Sequence, residues 1–372
     1  MNRLFFIYLA FTVSSEKLKI PQDGKVYFGA WLDTSDNQAG DRPVAFNQRM
    51  NFKSTCFQYA QNLPNYDFDF PNEQVLETNS DACVMLTIYP KPNPWNITDN
   101  DIDKLTMQLL RLTTNEKMKM LLRIAPEMNG NWNEYGQQAF KYVTLWKRIV
   151  NYIRLKNVDI SFVWAPSTGA SYPYNPPREV IQTDNDLLLM DTNKDGIFDS
   201  NDNPYSAYYP GDEFVDWVGL SVYHYGLKYP WIDNIIAQPN NFASQLNDHS
   251  FYETYKHKPV MIAEGAVSFH KDTPKGDGVG ELTMKKSFWV QWLTNNTVFE
   301  VFPQLKMVNL FEFTKLEEET LRDFSISVNE TIRTEFLQDF QNVKDRYIMA
   351  SFCNKINLHF TLFIFVFLYK FL

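Results

Sequence analysis

Cysteine and positive charge are scarce in this chain of 372 residues. Its three cysteines, Cys56, Cys83 and Cys353, are too few for a small scaffold held together by disulfides. Cys56 and Cys83 fall in two predicted strands, and we interpret them as buried thiols, with a disulfide as the alternative. The net charge is −9 and no basic run occurs, so nucleic acid is not an expected partner.

Two further absences limit the fold. No glycine-rich phosphate loop follows the first predicted strand, which argues against a doubly wound nucleotide-binding sheet. No linker and no shift in composition divides the chain, so a single large domain is expected. Hydrophobic residues make up 44% and aromatic residues 16% of the chain, enough for a sizeable core and for flat surfaces that stack on a ligand.

The first residues are typical of a short signal peptide. Arg3 provides the positive start, Leu4–Val13 is apolar, and Val13–Ser15 offers small residues for cleavage, although a buried first strand is the alternative. We divide the chain into a signal peptide over 1–15, a main domain over 16–349 and a tail over 350–372. A secreted or cell-surface location is expected. Three Asn-x-Ser/Thr sequons are compatible with it: Asn96, Asn295 and Asn329.

The end of the chain, Leu358–Leu372, is almost wholly apolar. It is shorter than the about 20 residues that span a bilayer as a helix. One interpretation is a removable lipid-anchor signal, with Ala350 and Ser351 as the small site, which would permit membrane anchoring. Lys370 argues against this signal, and an incorrectly predicted gene end is the alternative.

Short apolar runs recur along the chain and predict strands. The runs are Tyr27–Asp33, Thr55–Gln61, Cys83–Tyr89, Met120–Pro126, Ile160–Pro166, Trp217–Tyr223, Pro259–Gly265 and Lys306–Phe313. Helical patterns separate several of them, including a start like a capping box at Thr98 and Asp101 and an apolar stripe from Phe140 to Ile153. Eight strands that alternate with helices predict a single (β/α)₈ TIM barrel, with an open doubly wound sheet as the alternative.

Two carboxylates follow predicted strands. Catalytic side chains of such a barrel lie at the carboxyl ends of its strands. The fourth run leads to Glu127 and the seventh ends at Glu264, which predicts that both face one rim. Glycoside hydrolysis requires such a pair, in which one carboxyl group donates a proton and the other, ionised, attacks the anomeric carbon. A surface glutamate that closes a strand is the alternative for Glu127.

Other polar and aromatic side chains are predicted on the same rim. Arg123 shares a strand face with Glu127 and can orient a carboxylate. Tyr223 can donate a hydrogen bond to the nucleophile, and Trp132 can stack on a sugar ring. The full set of candidate substrate-binding residues is Arg123, Asn129, Trp132, Trp164, Tyr223 and His224.

The longest gap between predicted strands contains a calcium-loop pattern. Its candidate ligands are Asp191, Asn193, Asp195, Ile197, Asp199 and Asp202. Gly196 and Phe198 occupy the sixth and eighth positions, as the pattern requires. Pro204 argues against an immediate following helix, so a paired EF-hand is not implied. We predict a structural Ca²⁺ that stiffens a rim loop, with a polar turn-rich loop as the alternative; no cofactor is expected to be required for the chemistry.

These motifs resemble glycoside hydrolase family 26, in the retaining clan that places its glutamates on strands four and seven. The segment from Arg123 to Trp132, with Glu127-Met-Asn-Gly, is similar to the acid/base motif of the family. Asp216–Tyr223 is similar to the segment with the tyrosine beside the nucleophile, and Ala263–Gly265 to the nucleophile motif. Asp323–Ser327 is similar to the closing segment. The resemblance extends from about Tyr27 to Phe340.

The resemblance implies a retaining endo-β-1,4-mannanase that takes a β-linked polysaccharide as its partner and acts as a monomer. Three positions depart from the pattern. Pro126 stands where histidine is frequent in the mannanases, and Phe311 and Phe324 stand where tryptophan is common. Action on β-1,3-xylan or mixed-linkage β-glucan, or an inactive barrel that binds carbohydrate, are therefore the alternatives.

Overall fold

The structure is a computed structural model that describes residues 16–33, 41–65, 72–174, 182–227, 231–272, 278–317 and 320–353. The predicted signal peptide and the apolar run Leu358–Leu372 lie outside these residues. None of the helices in the described ranges combines the length and the apolar character that a bilayer span requires.

Eight parallel strands close into a barrel, so the predicted TIM barrel is confirmed. Within the described ranges, the strands are β1 Val26–Leu32, β2 Cys56–Leu63, β3 Cys83–Pro90, β4 Met120–Ile124, β5 Ser161–Trp164, β6 Trp217–His224, β7 Val260–Val267, β8 Phe269–His270, β9 Leu305–Glu312, β10 Thr314–Glu317, β11 Thr320–Asp323 and β12 Tyr347–Ile348. The barrel consists of β1 to β7 and β9, and closes because β9 pairs with both β7 and β1. Strands β10, β11 and β8 form a separate antiparallel sheet.

Helices follow most of the barrel strands. They are α1 Pro43–Met50, α2 Asn72–Leu76, α3 Asp99–Thr114, α4 Ala139–Leu155, α5 Asp184–Met190, α6 Asn241–Leu246, α7 Phe251–Tyr255, α8 Glu281–Trp292, α9 Asn296–Val301 and α10 Glu330–Gln341. The capping box predicted at the start of α3 is present, because Thr98 Oγ1 accepts from Asp101 N and the Asp101 carboxylate accepts from Thr98 N. The buried stripe of α4 is rotated from the prediction, since Phe140 is 45% exposed and Tyr142 is buried.

The core has two layers because the side chains of a strand alternate between its faces. On β4, Leu122 and Ile124 pack outward against the helices, in the larger apolar cluster. Leu121 points into the barrel with Met261 and Met307, which fill its lower part. Arg123 is the next residue of β4 that points into the barrel. It therefore lies nearer to the carboxyl ends of the strands, where the candidate site is found.

Cys56 and Cys83 form a disulfide, and our interpretation of them as buried thiols is wrong. They stand opposite each other in the parallel register of β2 and β3, with their Cα atoms 4.5 Å apart. That separation lies within the range that disulfides need. The sequence placed both residues in strands, but it did not give the register that sets them side by side.

Both ends of the described chain lie at the amino-terminal ends of the barrel strands. Leu18 is buried with the start of β1, and the Tyr27 hydroxyl donates to the Lys19 carbonyl at 2.8 Å. At the other end, Phe352 pairs with Ser80 just before β3. Both ends are therefore anchored on the face opposite the carboxyl ends of the strands.

Candidate active site

Three side chains hold the carboxylate of Glu264, which is buried within β7 and 6% exposed. Arg123 Nη2 donates to Oε1 at 2.8 Å, and Ser221 Oγ donates to the same oxygen at 3.0 Å. The Tyr223 hydroxyl donates to Oε2 at 3.0 Å. Donors to both oxygens fix the orientation of this carboxyl group, as a group that has to attack at a defined atom requires.

Arg123 is fully buried inside the barrel and is itself held in place. Burial is the largest single influence and lowers the pKa of its guanidinium, but Glu264, Tyr89 and Glu127 together leave the pKa raised. In the orientation that its neighbours require, the Gln58 amide accepts from Arg123 Nη1 at 3.2 Å and donates to the Ala263 carbonyl at 2.9 Å. Arg123 therefore stays positively charged beside the Glu264 carboxylate.

Glu127 lies in a loop whose backbone is fixed from several sides. Its N–H donates to the Ala165 carbonyl at 2.9 Å, and its carbonyl accepts from Gly130 N at 3.0 Å. The preceding carbonyl, of Pro126, accepts from the Tyr135 hydroxyl at 2.9 Å. Glu127 adopts a left-handed backbone with φ +57°, which costs a residue other than glycine roughly 1–3 kcal/mol. These contacts hold the carboxyl group in a conformation that the chain alone disfavours.

The pKa of Glu127 is raised above its ordinary value. Burial is the largest cause, and the nearby charge of Glu264 raises the pKa further, because two carboxylates in one site resist ionising together. Arg123 lowers the pKa, as do Ser221 and the hydrogen bond from Trp132, but only in part. The site thus gives the two carboxyl groups different environments, and Glu127 is the one suited to hold a proton.

Trp132 contacts the carboxyl group directly, which the sequence analysis did not predict. Its Nε1 donates to Glu127 Oε2 at 2.8 Å. The indole is 42% exposed and meets Tyr174 edge-on, with ring centroids 5.1 Å apart. A Cβ atom at Gly130 would lie 2.4 Å from the indole, so glycine is required beneath it. The ring is therefore free to meet a ligand while its N–H orients Glu127.

Asn129 does not face the cleft, so its predicted substrate contact is corrected. The side chain is fully buried, and the nitrogen and the oxygen of its amide both form hydrogen bonds with the backbone of Ser167. Nδ2 donates to the Ser167 carbonyl at 2.8 Å, and Oδ1 accepts from Ser167 N at 2.9 Å. Asn129 joins the loop after β4 to the loop after β5, and thereby supports Glu127 from behind.

Trp164 and His224 also lie away from the cleft, and both predictions are corrected. Trp164 is fully buried, stacks on Phe251 and donates from Nε1 to the Tyr208 carbonyl at 3.1 Å. His224 is stacked on Phe288 of α8, and its Nε2 bonds the Ile235 carbonyl at 2.7 Å. Burial lowers the pKa of the His224 imidazole. Both side chains point outward from the barrel because they alternate with inward neighbours on their strands.

Aromatic rings line the side of the site next to β9. Phe311, Phe324 and Ala266 form a buried cluster. Partly buried rings packed on it are Trp31, Tyr223, Tyr225 and Phe313. Glu312, at the end of β9, accepts from the backbone N–H groups of Ile326 and Ser327 at 2.9 and 3.0 Å. These bonds fix the closing segment that carries Phe324, so this wall is built into the fold.

Ser221 and Gln58 are site residues that sequence reasoning missed. A polar residue at an inward position of a barrel strand was the available signal for Gln58. Ser221 lies two residues before Tyr223 and therefore shares its face of β6. The sequence does not predict that Ser221 lies beside Glu264, because the pairing of β6 with β7 shifts register between Leu220 and Ser221.

The predicted calcium loop is compact, and its carboxylates accept backbone hydrogen bonds. The Asp191 carboxylate accepts from Asp195 N at 3.1 Å and from Gly196 N at 2.9 Å. Asp202 is fully buried and accepts from Thr192 N at 2.6 Å. Gly196 has φ +89°, in the left-handed region that favours glycine. Over the described ranges, no group of three or more His, Cys, Asp or Glu side chains is arranged to hold a metal.

The family model of glycosyl hydrolase family 26 matches residues 74–251. This range contains Arg123, Glu127 and Tyr223, whereas Glu264 lies beyond it. The match supports a glycoside hydrolase, and the position of Glu264 in the site comes from the structure. Among curated proteins, none matches this chain.

Solved structures share the fold of this chain. The family 26 domain of an endo-β-mannanase/endo-β-glucanase from Prevotella bryantii is 13% identical, with a TM-score of 0.51 over 88% of this chain and 91% of that chain. The AHE enzyme from Alicyclobacillus herbarius is 10% identical, with a TM-score of 0.50 over 88% of this chain and 99% of that one. At these identities the likeness shows the fold alone. Residues 74–251 of the chain match glycosyl hydrolase family 26, and the resemblance that its motifs indicate is confirmed.

Proposed function

We propose that this protein is a retaining hydrolase that cleaves internal β-1,4-mannosidic bonds of mannan-type polysaccharides by double displacement. The observation that carries the proposal is the contrast between two carboxyl groups of one site, that of the buried Glu264 and that of the partly exposed Glu127. Glu264 accepts hydrogen bonds from Arg123, Ser221 and Tyr223, which hold both of its carboxyl oxygens in place. The pKa of Glu127 is raised by burial and by the charge of Glu264, which favours its protonated form.

In the first step, the Glu264 carboxylate attacks the anomeric carbon and displaces the leaving oxygen, which takes the proton of Glu127. The product of this step is an ester between the sugar and Glu264. In the second step, Glu127 is ionised and accepts a proton from water, whose oxygen attacks the same carbon and releases Glu264. Two displacements at one carbon retain the β configuration. Trp132 holds the Glu127 carboxyl group through Nε1 in both steps.

Mannan is the proposed substrate because of the family resemblance of the motifs. The similar structure from Prevotella bryantii is a domain of an endo-β-mannanase/endo-β-glucanase. A β-glucan is therefore the alternative substrate. Phe311 and Phe324, at positions where tryptophan is common, form the aromatic wall and are the places where substrate preference would differ. An inactive carbohydrate-binding barrel is a weaker alternative, because Glu127 and Glu264 are both present.

The release of reducing sugar from a panel of polysaccharides tests the proposal. The panel contains mannan, glucomannan, β-1,3-xylan and mixed-linkage β-glucan, and we expect the fastest release from mannan. Glu264→Gln, purified in parallel, is the control for contaminating hydrolases. Release from another member of the panel alone would overturn the substrate, and binding without release from any member would identify the inactive barrel.

Trp132 is expected to act both as a sugar platform and as a donor to Glu127. Trp132→Phe keeps a ring but loses the N–H, and should lower kcat/KM about tenfold, since a hydrogen bond to a charged group is worth about 1.5–3 kcal/mol. Trp132→Ala loses the ring as well and should cost about a further tenfold. Kinetics on mannan oligosaccharides measure the effect, and circular dichroism serves as the control for folding. Unfolding of either variant would show that Trp132 is a core residue.

We propose that the loop from Asp191 to Asp202 binds one structural Ca²⁺ without a part in the chemistry. The ligand spacing and the left-handed Gly196 support this. At calcium about 100 times above the dissociation constant, binding should raise the midpoint of thermal unfolding by about 3–8 °C relative to chelator. Asp195→Ala should remove this shift, whereas Asp184→Ala, just outside the loop, should keep it. An equal midpoint with calcium and with chelator in the parent protein would contradict the site.

We also propose that the protein is secreted or held at the cell surface. The N-terminal pattern and the three sequons support this location. Asn295 and Asn329 cap α9 and α10 through Oδ1, which accepts from Thr297 N and Thr331 N. A glycan would be linked through Nδ2, and this linkage would leave both caps in place. Cell fractionation with an epitope placed after the predicted cleavage site tests the location.

A further inference from the structure

The seventh barrel strand, β7, contains a bulge directly before Glu264. In the pairing of β7 with β6, Leu220 lies opposite Ile262. The next residue of β6, Ser221, lies opposite Glu264, so Ala263 is an extra residue of β7. The pairing with β9, on the other side, shifts register over the same stretch. One strand that has an extra residue relative to its partner is what defines a β-bulge.

The bulge decides which way Glu264 points. Met261 and Ala263 point into the barrel, where both belong to the inner apolar cluster, and Ile262 between them packs outward against the helices. Regular alternation would turn Glu264 outward, as it turns Ile262. Glu264 instead points inward and accepts from Arg123, so two consecutive residues of β7 face the interior.

Two buried side-chain amides donate to the backbone of the bulge. A bulge disrupts the ladder locally, and buried backbone groups near it need other partners. Asn309 Nδ2 of β9 donates to the Ile262 carbonyl at 2.9 Å. The Gln58 amide of β2 donates to the Ala263 carbonyl, also at 2.9 Å. Two other strands of the barrel therefore hold the backbone just before Glu264.

The amide of Asn309 is fully buried and has a place made for it on β1. Asn309 lies opposite Gly29 in the pairing of β9 with β1. A Cβ atom at Gly29 would lie 2.0 Å from Asn309 Oδ1, so glycine is required there. Gln58 also accepts from Arg123, whereas the bond from Asn309 runs to the backbone of β7. Asn309 therefore allows the bulge to be tested separately from Arg123.

We propose that Asn309 is a positioning residue that stabilises the bulge at Ala263 and thereby turns Glu264 towards the anomeric carbon. The inference rests on the proposed function, in which Glu264 is the nucleophile. A nucleophile has to lie close to the carbon that it attacks and in line with the leaving group, and a displacement of about 1 Å can cost about 10²-fold in rate. Asn309 acts on the reaction through the backbone of β7.

Asn309→Leu keeps the branched shape of the side chain and removes the donor. We expect kcat and kcat/KM on mannan oligosaccharides to fall together by about 10²-fold, because attack by Glu264 takes place in the transition state. A loss that appeared as a raised KM with kcat unchanged would place the effect on substrate binding and would contradict the proposed role.

Azide provides the decisive comparison. In Glu264→Ala, azide replaces the nucleophile in the reaction with an activated aryl mannoside, so the orientation of Glu264 no longer contributes. Asn309→Leu added to Glu264→Ala should therefore leave the rate of α-glycosyl azide formation within about twofold, since both changes act through one group. A general disturbance of the site would lower this rate by about 10²-fold as well, and would overturn the inference.

Two further variants complete the test. Gly29→Ala places a Cβ atom against Asn309 Oδ1 and should displace the amide, so it should reproduce the loss and keeps the test open if Asn309→Leu does not fold. Gln108→Leu is the matched control. It removes another buried amide, which bonds Gln61 at 2.9 Å between α3 and β2, and should retain the parent kcat.

Hydrogen exchange of the β7 peptide, measured by mass spectrometry, gives a readout that does not need activity. The backbone amides from Ala263 to Ala266 should exchange about tenfold faster in Asn309→Leu and at the parent rate in Gln108→Leu. Exchange at the parent rate in Asn309→Leu would overturn the inference, whatever the activity. A parent protein that hydrolyses no β-glycan would overturn the proposed function instead, while faster exchange would still establish that Asn309 holds the bulge.

Discussion

Glu264→Ala is expected to abolish turnover on every substrate, with a loss on the order of 10⁶-fold in kcat, as for other deletions of a nucleophile. The reason is that no glycosyl ester can form, and a better leaving group does not replace the missing bond. The fold should tolerate the change, because Arg123 would keep its contacts with Ser221 and Gln58. Initial rates on mannan and on activated aryl mannosides measure the effect.

Azide identifies the role of Glu264 by the stereochemistry of its product. In Glu264→Ala, azide can occupy the vacated space and attack the anomeric carbon, while Glu127 still protonates the leaving oxygen. The product would be the α-glycosyl azide. Glu312→Gln is the matched control, since it changes another buried glutamate at the end of a barrel strand without affecting the reacting pair. Wild-type turnover by Glu264→Ala would contradict the assignment.

Glu127→Ala is expected to affect the two steps differently. With mannan, which needs a proton on its leaving oxygen, activity should fall by about 10²–10⁴-fold, the usual contribution of general acid–base catalysis. With a dinitrophenyl mannoside, which needs no proton, the first step should proceed and the second should stall for lack of a base. A burst of dinitrophenol followed by slow turnover is the expected measurement.

Azide again separates the roles, because it needs no general base. It should restart the stalled step of Glu127→Ala and give the β-glycosyl azide, since it attacks a sugar that is bound to Glu264 on its α face. The alkaline limb of the parent kcat/KM profile, which reflects the raised pKa of Glu127, should vanish in this variant. An α-azide from Glu127→Ala would show that the roles are reversed, and an inverted product from the parent would show that the mechanism is wrong.

The barrel and the two glutamates were predictable because they follow from burial. Parallel strands are covered on both faces, so each of them appears in the sequence as an apolar run. A carboxylate at the end of such a run, as at Glu264, would be costly to bury without partners, so it is expected to face a cavity. Glu127 was found in the same way, although β4 ends at Ile124, two residues before the predicted end.

The rest depended on contacts between distant parts of the chain. We placed Trp164 and His224 on the rim by proximity to strand ends, whereas alternation already implied that His224 points away if Tyr223 points inward. The structural role of Asn129 depends on its hydrogen bonds to the Ser167 backbone, which the sequence does not reveal. The disulfide of Cys56 likewise depends on the register between β2 and β3. The bond from Trp132 to Glu127 depends on how the loop folds back over Gly130.

The positions of the two described ends of the chain decide how this protein would be oriented if it were tethered. Leu18 at one end and Phe352 at the other lie on the face opposite Glu127 and Glu264. A tether joined at either end would therefore present the cleft outward, towards a polymer too large to diffuse beneath the molecule. Immobilisation of the described part of the chain through both of its ends, as on a resin or a displayed scaffold, should leave access to Glu127 and Glu264 unobstructed.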